Sequence, residues 1–226
     1  LLEPGEELTL TKDYTWRSGI GVAMQHYPRE GPRRVGVIGL GTGTMAAFGR
    51  PGDTYRFYEI NPQVVELSRR YFTYLDKTPA TVEIALGDAR LSMEREAAQQ
   101  FDLIVLDAFS GDAVPVHLLT REAFAVYRKH LREGGILAVH ISNRHLDLGP
   151  VVAGLAEHYG MEAVEIYARR TGRITDTSST WMLVTENEAF LRNEAVQEAA
   201  EDGRTTFKSI RMWTDQYSNL FQIFDP

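Results

Sequence analysis

The sequence predicts an α/β fold with a doubly wound, mostly parallel, Rossmann-like sheet and a small β appendage at the N-terminus. From residue 34 onward, short apolar runs alternate with longer segments in which apolar residues recur at helical spacing. This alternation is typical of strands that pair in parallel through crossover helices. The segment between the last two apolar runs has no helical period, so we expect the final strand to be antiparallel.

The predicted elements follow one another in regular order. We expect strands at residues 34–40, 54–60, 81–86, 101–109, 136–142, 161–168 and 179–186. We expect helices at residues 42–50, 62–75, 89–100, 120–131, 148–160 and 187–200. Pro62 stands at a favoured first-turn position of its helix, and Thr120 is a suitable N-cap for the helix that it begins.

The first thirty residues have a different pattern. Apolar and polar residues alternate over 7–16, and the apolar segment 19–27 can pair back on it as the second strand of a hairpin. A polar stretch rich in Pro and Gly follows at 28–34. We therefore predict a β-hairpin appendage over 1–30 and a Rossmann-like main domain over 31–226.

The composition is that of an ordinary globular chain and excludes several classes of function. The 226 residues have a formal net charge of −7, which argues against a nucleic-acid partner and is compatible with a small cationic one. The absence of cysteine excludes disulfides and thiolate metal sites, and no H-E-x-x-H motif occurs, so we expect no metal. No apolar run is long enough for a membrane span and no signal peptide opens the chain, so we expect a cytoplasmic location.

The segment VIGLGTGT follows the first predicted strand and opens a helix. Its Gly39, Gly41 and Gly43 allow a tight turn and a close approach of the backbone to a ligand, and the helix start adds free N–H donors. The pattern is G-x-G-x-G and not the dinucleotide fingerprint, because Thr44 stands where the third glycine would be. A plain strand-to-helix turn is the alternative interpretation.

Acidic residues mark the ends of the next two strands. Glu59 follows Gly39 by 20 residues, a spacing at which a carboxylate can accept hydrogen bonds from ribose hydroxyls. Asp88, which precedes Ala89, can accept from an exocyclic amine, and it is equally suited to cap the helix that follows. The two roles can coexist.

Asp107 ends the fourth strand. Ligands of doubly wound sheets bind outside the carboxyl ends of the strands, where the strand order reverses. If the first and fourth strands are neighbours, Asp107 faces the glycine loop. We therefore expect the loop, Glu59, Asp88 and Asp107 to converge on one edge of the sheet, and this convergence is the main functional signal.

Five strand–helix units closed by an antiparallel strand are the arrangement of S-adenosylmethionine-dependent methyltransferases and their relatives. Within that group the sequence resembles the spermidine synthases (polyamine aminopropyltransferases), especially a bacterial branch fused to a membrane-embedded, transporter-like region. The resemblance covers roughly residues 14–226 and rests on the motifs GLGTGT, YEINPQVVELSRR, LGDARLSMERE, FDLIVLDAFSGDAVPVHLLTREAF, GGILAVHISNRHLDL and WTDQYSNL. The later motifs are more specific than the glycine loop.

The resemblance implies that the protein binds decarboxylated S-adenosylmethionine and transfers its aminopropyl group to an amine such as putrescine. By position, the three glycines would line the sulfonium end of the donor. Glu59 would hold the ribose and Asp88 the adenine amine. Asp107 would be the catalytic aspartate, which accepts a proton or hydrogen bond from the attacking amine.

Two positions depart from the family pattern. Thr42 stands where the synthases have an acidic residue that disfavours a donor carboxylate, so ordinary S-adenosylmethionine is less strongly disfavoured here. Ser110 stands where the synthases have a second aspartate for the far amine of the acceptor, and the next carboxylate is Asp112. Asp112 substitutes for that aspartate, or the acceptor is different.

Further candidates for substrate contacts come from the last two of these motifs and from the appendage. Asn143 and His140 lie near the end of the fifth strand, and core packing and capping are equally good interpretations. Asp215 and Tyr217 lie in an aromatic tail with the pattern of a lid or a docked edge. Tyr14 and Trp16 of the appendage are suited to close over the donor or to form the core of the appendage itself.

Three functions are compatible with these residues. The first is an aminopropyltransferase with Asp107 as general base. The second is a methyltransferase that uses intact S-adenosylmethionine, which the threonine at position 42 favours. The third is a non-catalytic ligand-sensing domain of a membrane protein. The chain begins at Leu1 rather than at methionine, which indicates a fragment of a longer protein, a processed chain or only the ordered part of one. In the membrane-fused branch this domain would follow a membrane region upstream of Leu1. We expect a small cationic amine as substrate, and a homodimer is compatible with the sequence.

Overall fold

The computed structural model describes residues 8–108, 115–170 and 177–225. Its central feature is a seven-stranded sheet with the order β3-β2-β1-β4-β5-β7-β6. The strands are β1 (Arg34–Ile38), β2 (Thr54–Glu59), β3 (Thr81–Leu86), β4 (Phe101–Leu106), β5 (Leu131–His140), β6 (Glu162–Ala168) and β7 (Ser179–Thr185). Neighbouring strands from β3 to β5 are parallel, whereas β7 is antiparallel to both β5 and β6. The predicted α/β fold with an antiparallel last strand is confirmed.

Helices connect the strands on both faces of the sheet. They are α1 (Gly19–His26), α2 (Pro62–Tyr71), α3 (Tyr74–Lys77), α4 (Ala89–Arg95), α5 (Arg121–His130), α6 (Gly149–His158), α7 (Glu188–Leu191) and α8 (Glu194–Ala200). Helix α2 begins at Pro62 after the cap Asn61, and the Thr120 side chain caps α5 as predicted. The predicted helix at 187–200 is two helices, because Asn193 caps a second one.

Strand β4 lies at the centre of the sheet and is buried over its whole length. From Leu103 to Leu106 its side chains alternate between two apolar clusters, one on each face of the sheet, and an irregularity between Phe101 and Leu103 interrupts the alternation. Phe101, Ile104 and Leu106 pack in one cluster, and Leu103 and Val105 pack in the other. A strand that is buried on both faces has a continuous apolar sequence, which is why this segment could be assigned from sequence.

The predicted β-hairpin at the N-terminus is wrong for the residues that the structure describes. Residues 19–26 form helix α1, and Lys12–Tyr14 form one turn of 3-10 helix. Ser18 begins the helix, since its hydroxyl accepts a hydrogen bond from the Gly21 amide at 3.2 Å. Helix α1 lies in the same apolar cluster as β1 and β4. Helix α1 is buried on almost every side, so its sequence has no polar face. In a short apolar run of this kind, the spacing of apolar residues does not distinguish a helix from a strand. The division of the chain near residue 30 stays a prediction.

Glycine allows α1 to lie close to the sheet. A Cβ atom at Gly19 would lie 2.4 Å from the Cβ atom of Trp181 in β7. A Cβ atom at Gly21 would lie 2.2 Å from the carbonyl oxygen of Thr15. The 3-10 turn that precedes α1 is thereby held against β7, over the carboxyl end of the neighbouring strand β5.

We predict that the buried carboxylate of Asp102, at the amino end of β4, stabilises the fold by binding groups from neighbouring segments. It accepts from the Arg34 amide at 2.8 Å and pairs with Arg132 at 3.0 Å and with Arg29. Asp102→Ala should lower the free energy of unfolding by about 2–4 kcal/mol, because an amide and two guanidinium groups lose their acceptor. Urea unfolding followed by circular dichroism measures the loss.

The matched control is the exposed ion pair between Arg192 and Glu188, at 2.8 Å on the surface of α7. Arg192→Ala should cause no measurable loss, because exposed pairs contribute little. Equal unfolding free energies for the two variants would show that Asp102 does not stabilise the fold in this way.

Candidate functional site

A cavity of about 490 Å³ opens at the carboxyl ends of β1 to β4. It lies at the point where the strand order reverses, because β1 pairs with β2 on one side and with β4 on the other. Polar and apolar residues line the cavity, and among them are Gly39, Gly41, Glu59, Asp88, Ala89, Asp107 and His117. Six of these seven were predicted from the sequence, and they converge as expected.

The glycine loop after β1 is shaped by close contact with β4. Gly39 has a φ of +95°, and a Cβ atom there would lie 2.3 Å from the carbonyl oxygen of Asp107. No side chain fits at this position, so the backbones of β1 and β4 meet directly. Gly43 also has a positive φ, but it packs against Leu75 and, like Thr42, is not part of the cavity wall.

Thr42 is engaged locally. Its hydroxyl lies 2.7 Å from the Thr44 hydroxyl, and its carbonyl accepts from Ser68 at 3.0 Å. These contacts hold the loop on the side of helix α2. A hydroxyl at this position carries no charge that would repel a donor carboxylate.

Glu59 is buried at the end of β2, with 8% of its surface exposed. One carboxylate oxygen accepts from the Leu40 amide at 3.0 Å, and the other accepts from the Asn61 amide at 2.9 Å. The backbone thus fixes the carboxylate beside the glycine loop. Each oxygen keeps a further lone pair, which suits a ligand with hydroxyl groups.

Asp88 has the capping role that its sequence position allowed, and its second oxygen contacts a histidine. One oxygen caps helix α4 by accepting from the Leu91 amide at 2.8 Å. The other lies 3.0 Å from Nε2 of His117, which also lines the cavity. His117 was missed by sequence reasoning, because it is distant in sequence and only the fold brings it to Asp88. The proposed contact with an adenine amine stays a prediction.

Asp107 is held by two side chains from other elements. The Tyr14 hydroxyl donates to Oδ2, and Nδ1 of His140 lies 2.8 Å from Oδ1. Burial raises the pKa of the Asp107 carboxyl, but the interaction with His140 and the hydrogen bond of Tyr14 outweigh it, so the pKa lies below its usual value. Burial and the nearby carboxylate of Asp107 raise the pKa of Tyr14 well above its usual value, so this phenol remains a donor.

The two tail candidates have other partners. Arg90 binds the carboxylate of Asp215 through two nitrogens, at 2.6 and 2.5 Å, and the Thr120 hydroxyl donates to it at 2.8 Å. The Tyr217 ring lies under the Arg211 guanidinium, 3.9 Å from its carbon to the ring centroid. Neither residue lines the cavity. Asp215 instead fastens the tail to helices α4 and α5.

The remaining predicted substrate contacts lie elsewhere. Asn143 caps a turn, since its side-chain oxygen accepts from the amides of His145 at 3.0 Å and Leu146 at 2.9 Å. It lines a second cavity of about 340 Å³ and not the first. Ser110 and Asp112 lie outside the described residues.

The electrostatics of the cavity favour a cation. The described residues of its wall include the carboxylates of Glu59, Asp88 and Asp107 and no lysine or arginine. Within residues 8–108, 115–170 and 177–225, no group of three or more histidine and acidic side chains is arranged to hold a metal ion.

In the same part of the chain, no helix has both the length and the apolar character needed to cross a membrane.

The fold is shared with spermidine synthases. No family model matches the chain. A probable spermidine synthase from Corynebacterium glutamicum ATCC 13032 superposes with a TM-score of 0.63 at 20% identity, over 92% of this chain and 84% of that one. At this identity the likeness establishes the fold alone.

Sequence relatives include two kinds of transferase. A segment of 114 residues is 33% identical to a polyamine aminopropyltransferase from Vibrio vulnificus (strain CMCP6) and covers 48% of this chain and 38% of that relative. A segment of 105 residues is 32% identical to an N-terminal histidine N-methyltransferase from Emericella nidulans and covers 46% of this chain and 19% of that relative. The chain thus matches less than half the length of each of these relatives.

We predict that Tyr14 helps to keep Asp107 ionised. Tyr14→Phe removes a donor from the carboxylate, while the burial that raises its pKa remains, so the pKa of Asp107 should rise. A pH titration of the Asp107 carboxyl carbon by NMR measures the shift. As a control, Tyr74→Phe removes a hydroxyl that donates to the Thr9 carbonyl and should leave that titration unchanged. An unchanged titration in Tyr14→Phe as well would contradict the role of Tyr14.

Proposed function

We propose that the protein is an aminopropyltransferase of the spermidine synthase type. In this reaction the amine nitrogen of a small polyamine attacks the aminopropyl carbon of decarboxylated S-adenosylmethionine. The carbon–sulfur bond breaks, methylthioadenosine leaves with the electron pair, and the amine loses a proton. A sulfonium is already an activated leaving group, so the protein has to position the two reactants and stabilise charge.

The observation that carries the proposal is the placement of Asp107. It stands at the carboxyl end of β4, in contact with the glycine loop and between two fixed donors, in a cavity lined by carboxylates. A carboxylate there attracts a cationic amine and can accept a hydrogen bond from the attacking nitrogen. Because its pKa is lowered, Asp107 is a weak base, and we expect it to act mainly by orienting the amine and stabilising the positive charge that develops on nitrogen.

The donor is proposed to bind in the part of the cavity that is lined by Glu59, Asp88 and His117. The fixed carboxylate of Glu59 is suited to two ribose hydroxyls, and Asp88 with His117 is suited to the adenine amine. Gly39 and Gly41 line the cavity beside Asp107, and a Cβ atom at Gly41 would meet nothing within 4 Å, so the sulfonium group is proposed to bind there. Localisation in the cytoplasm, where this donor and polyamines occur, remains part of the same proposal.

Methyl transfer from intact S-adenosylmethionine is the second candidate. The specific observation that favours it is Thr42, which is held by Thr44 and Ser68 and offers no charge against a donor carboxylate. The similarity to an N-methyltransferase is compatible with it. In both reactions an amine attacks a sulfonium donor, so Asp107 would have the same role.

The decisive experiment is a calorimetric titration with both donors, followed by identification of the product. We expect tighter binding of the decarboxylated donor and the formation of methylthioadenosine when putrescine or a longer polyamine is added. Formation of S-adenosylhomocysteine instead would establish the methyltransferase alternative. If either donor binds but neither nucleoside forms with any amine, the chain is a binding domain without catalysis.

We predict that Asp107→Asn separates binding from turnover. The donor should bind within about twofold of the wild-type affinity, whereas turnover should fall at least about a hundredfold, because the charged acceptor for the amine is lost. Asp76→Asn is the control, since Asp76 is exposed on α3 away from the cavity wall. Undiminished turnover in Asp107→Asn would remove this residue from the mechanism.

A further inference from the structure

His140 connects Asp107 to a second polar side chain. It ends strand β5 and is buried, with 7% of its surface exposed. Its Nδ1 lies 2.8 Å from Oδ1 of Asp107, and its Nε2 lies 2.8 Å from the hydroxyl oxygen of Ser142. The Thr180 amide of β7 donates to the same hydroxyl oxygen at 2.8 Å. The three side chains therefore form a line that ends on a fixed backbone amide.

The partners determine which ring nitrogen of His140 carries the hydrogen. An ionised Asp107 can only accept, so Nδ1 must carry a hydrogen. The Ser142 oxygen already accepts from the backbone, and its own hydrogen is free to point at Nε2. A neutral imidazole with a hydrogen on Nδ1 thus satisfies the whole line.

Trp181 prevents the imidazole from turning. The two rings are stacked with centroids 4.7 Å apart and planes inclined by 21°. Trp181 is fully buried, and its indole nitrogen donates to the Asp13 carbonyl at 3.3 Å. The same tryptophan packs edge-on against Tyr14, the other partner of Asp107. One buried ring therefore packs against both residues that bind the carboxylate and helps to fix their orientations.

Two donors on opposite oxygens fix the plane of the Asp107 carboxylate. Tyr14 approaches Oδ2 and His140 approaches Oδ1, so rotation of the carboxylate would break one bond or the other. A carboxylate has about four lone-pair positions, so two remain for an amine. A fixed acceptor of this kind costs no reorganisation when the nitrogen becomes charged.

We infer that His140 is a positioning residue for the amine-orienting Asp107, with its ring orientation and tautomer set by Ser142 and Trp181. This role rests on the proposed transfer to an amine. His140 does not need to touch the substrate, since it acts through the direction and charge of the Asp107 carboxylate. Tyr14, on the 3-10 turn that precedes α1, is the ionisable group that shares the Asp107 carboxylate with His140 among the described residues, and Asp13 of the same turn acts electrostatically on Tyr14.

Two substitutions distinguish this role from simple packing. His140→Phe keeps a flat ring against Trp181 but has no donor for Asp107. His140→Asn loses the ring but keeps an N–H group near the position of Nδ1. A purely structural role predicts that phenylalanine is the better replacement, whereas a positioning role predicts that asparagine is. His158→Phe on the far helix α6 serves as the control, because His158 contacts Tyr159 and not the cavity wall.

The kinetic readout is the ratio of variant to wild-type kcat/KM across pH, which cancels the ionisation of the amine itself. In His140→Phe, kcat should fall at least about tenfold, while the affinity for the donor stays within about twofold. The ratio should fall further as the pH is lowered, because Asp107 has lost a donor that favours its ionised form and therefore protonates at a higher pH. In His140→Asn the ratio should stay closer to one and should vary little with pH.

A second readout does not depend on activity. Nitrogen NMR of the wild-type His140 ring should show a hydrogen on Nδ1, and Asp107→Asn should change the signals of that nitrogen. A hydrogen on Nε2 alone, or a phenylalanine variant that is as active as the asparagine variant at all pH values, would overturn the inference. If no amine is ever a substrate but the nitrogen signals are as expected, the proposed function fails and the Asp107–His140 pair remains. Circular dichroism and donor binding establish that each variant is folded.

Discussion

The direct contact between the backbones of β1 and β4 is the constraint on which the site depends. A side chain at Gly39 would collide with the Asp107 carbonyl, so the two strand ends come together only with glycine there. This contact places the glycine loop and the Asp107 carboxylate in one cavity at the point where the strand order reverses. The positions of the glycine loop and of the Asp107 carboxylate both depend on this close contact between the two strands.

The cavity contains one buried and two half-buried carboxylates, and the described residues satisfy each of them only in part. Donors within the chain hold one position on each oxygen and leave others open. The pairs are Leu40 and Asn61 to Glu59, Leu91 and His117 to Asp88, and Tyr14 and His140 to Asp107. Such a wall is stable without a ligand and still offers acceptors. It therefore suits a ligand rich in hydroxyl, amine and positively charged groups, as the proposed donor and acceptor are.

The N-terminal segment shows where local patterns fail. The apolar run at residues 19–26 has no polar face, because helix α1 is covered on nearly all sides, and it was therefore predicted to be a strand. Its position against Trp181 depends on Gly19, whose close contact is set by a residue far along the chain. The consequence for the site is large, since the turn before α1 carries Tyr14 to Asp107. The N-terminal segment, which was predicted to be a separate appendage, therefore contributes a residue to the proposed active site.

The sequence by itself determined the sheet, its antiparallel last strand and the carboxylates at the ends of β2 and β4, because strand periodicity and a glycine turn are local properties. It also determined that Glu59, Asp88 and Asp107 share one edge, since the carboxyl ends of parallel strands lie together. The partners of these carboxylates were decided only by the tertiary structure. Tyr14 and His140 are 93 and 33 residues from Asp107, and their contact with it follows from the packing of β5, β7 and the N-terminal turn around Trp181.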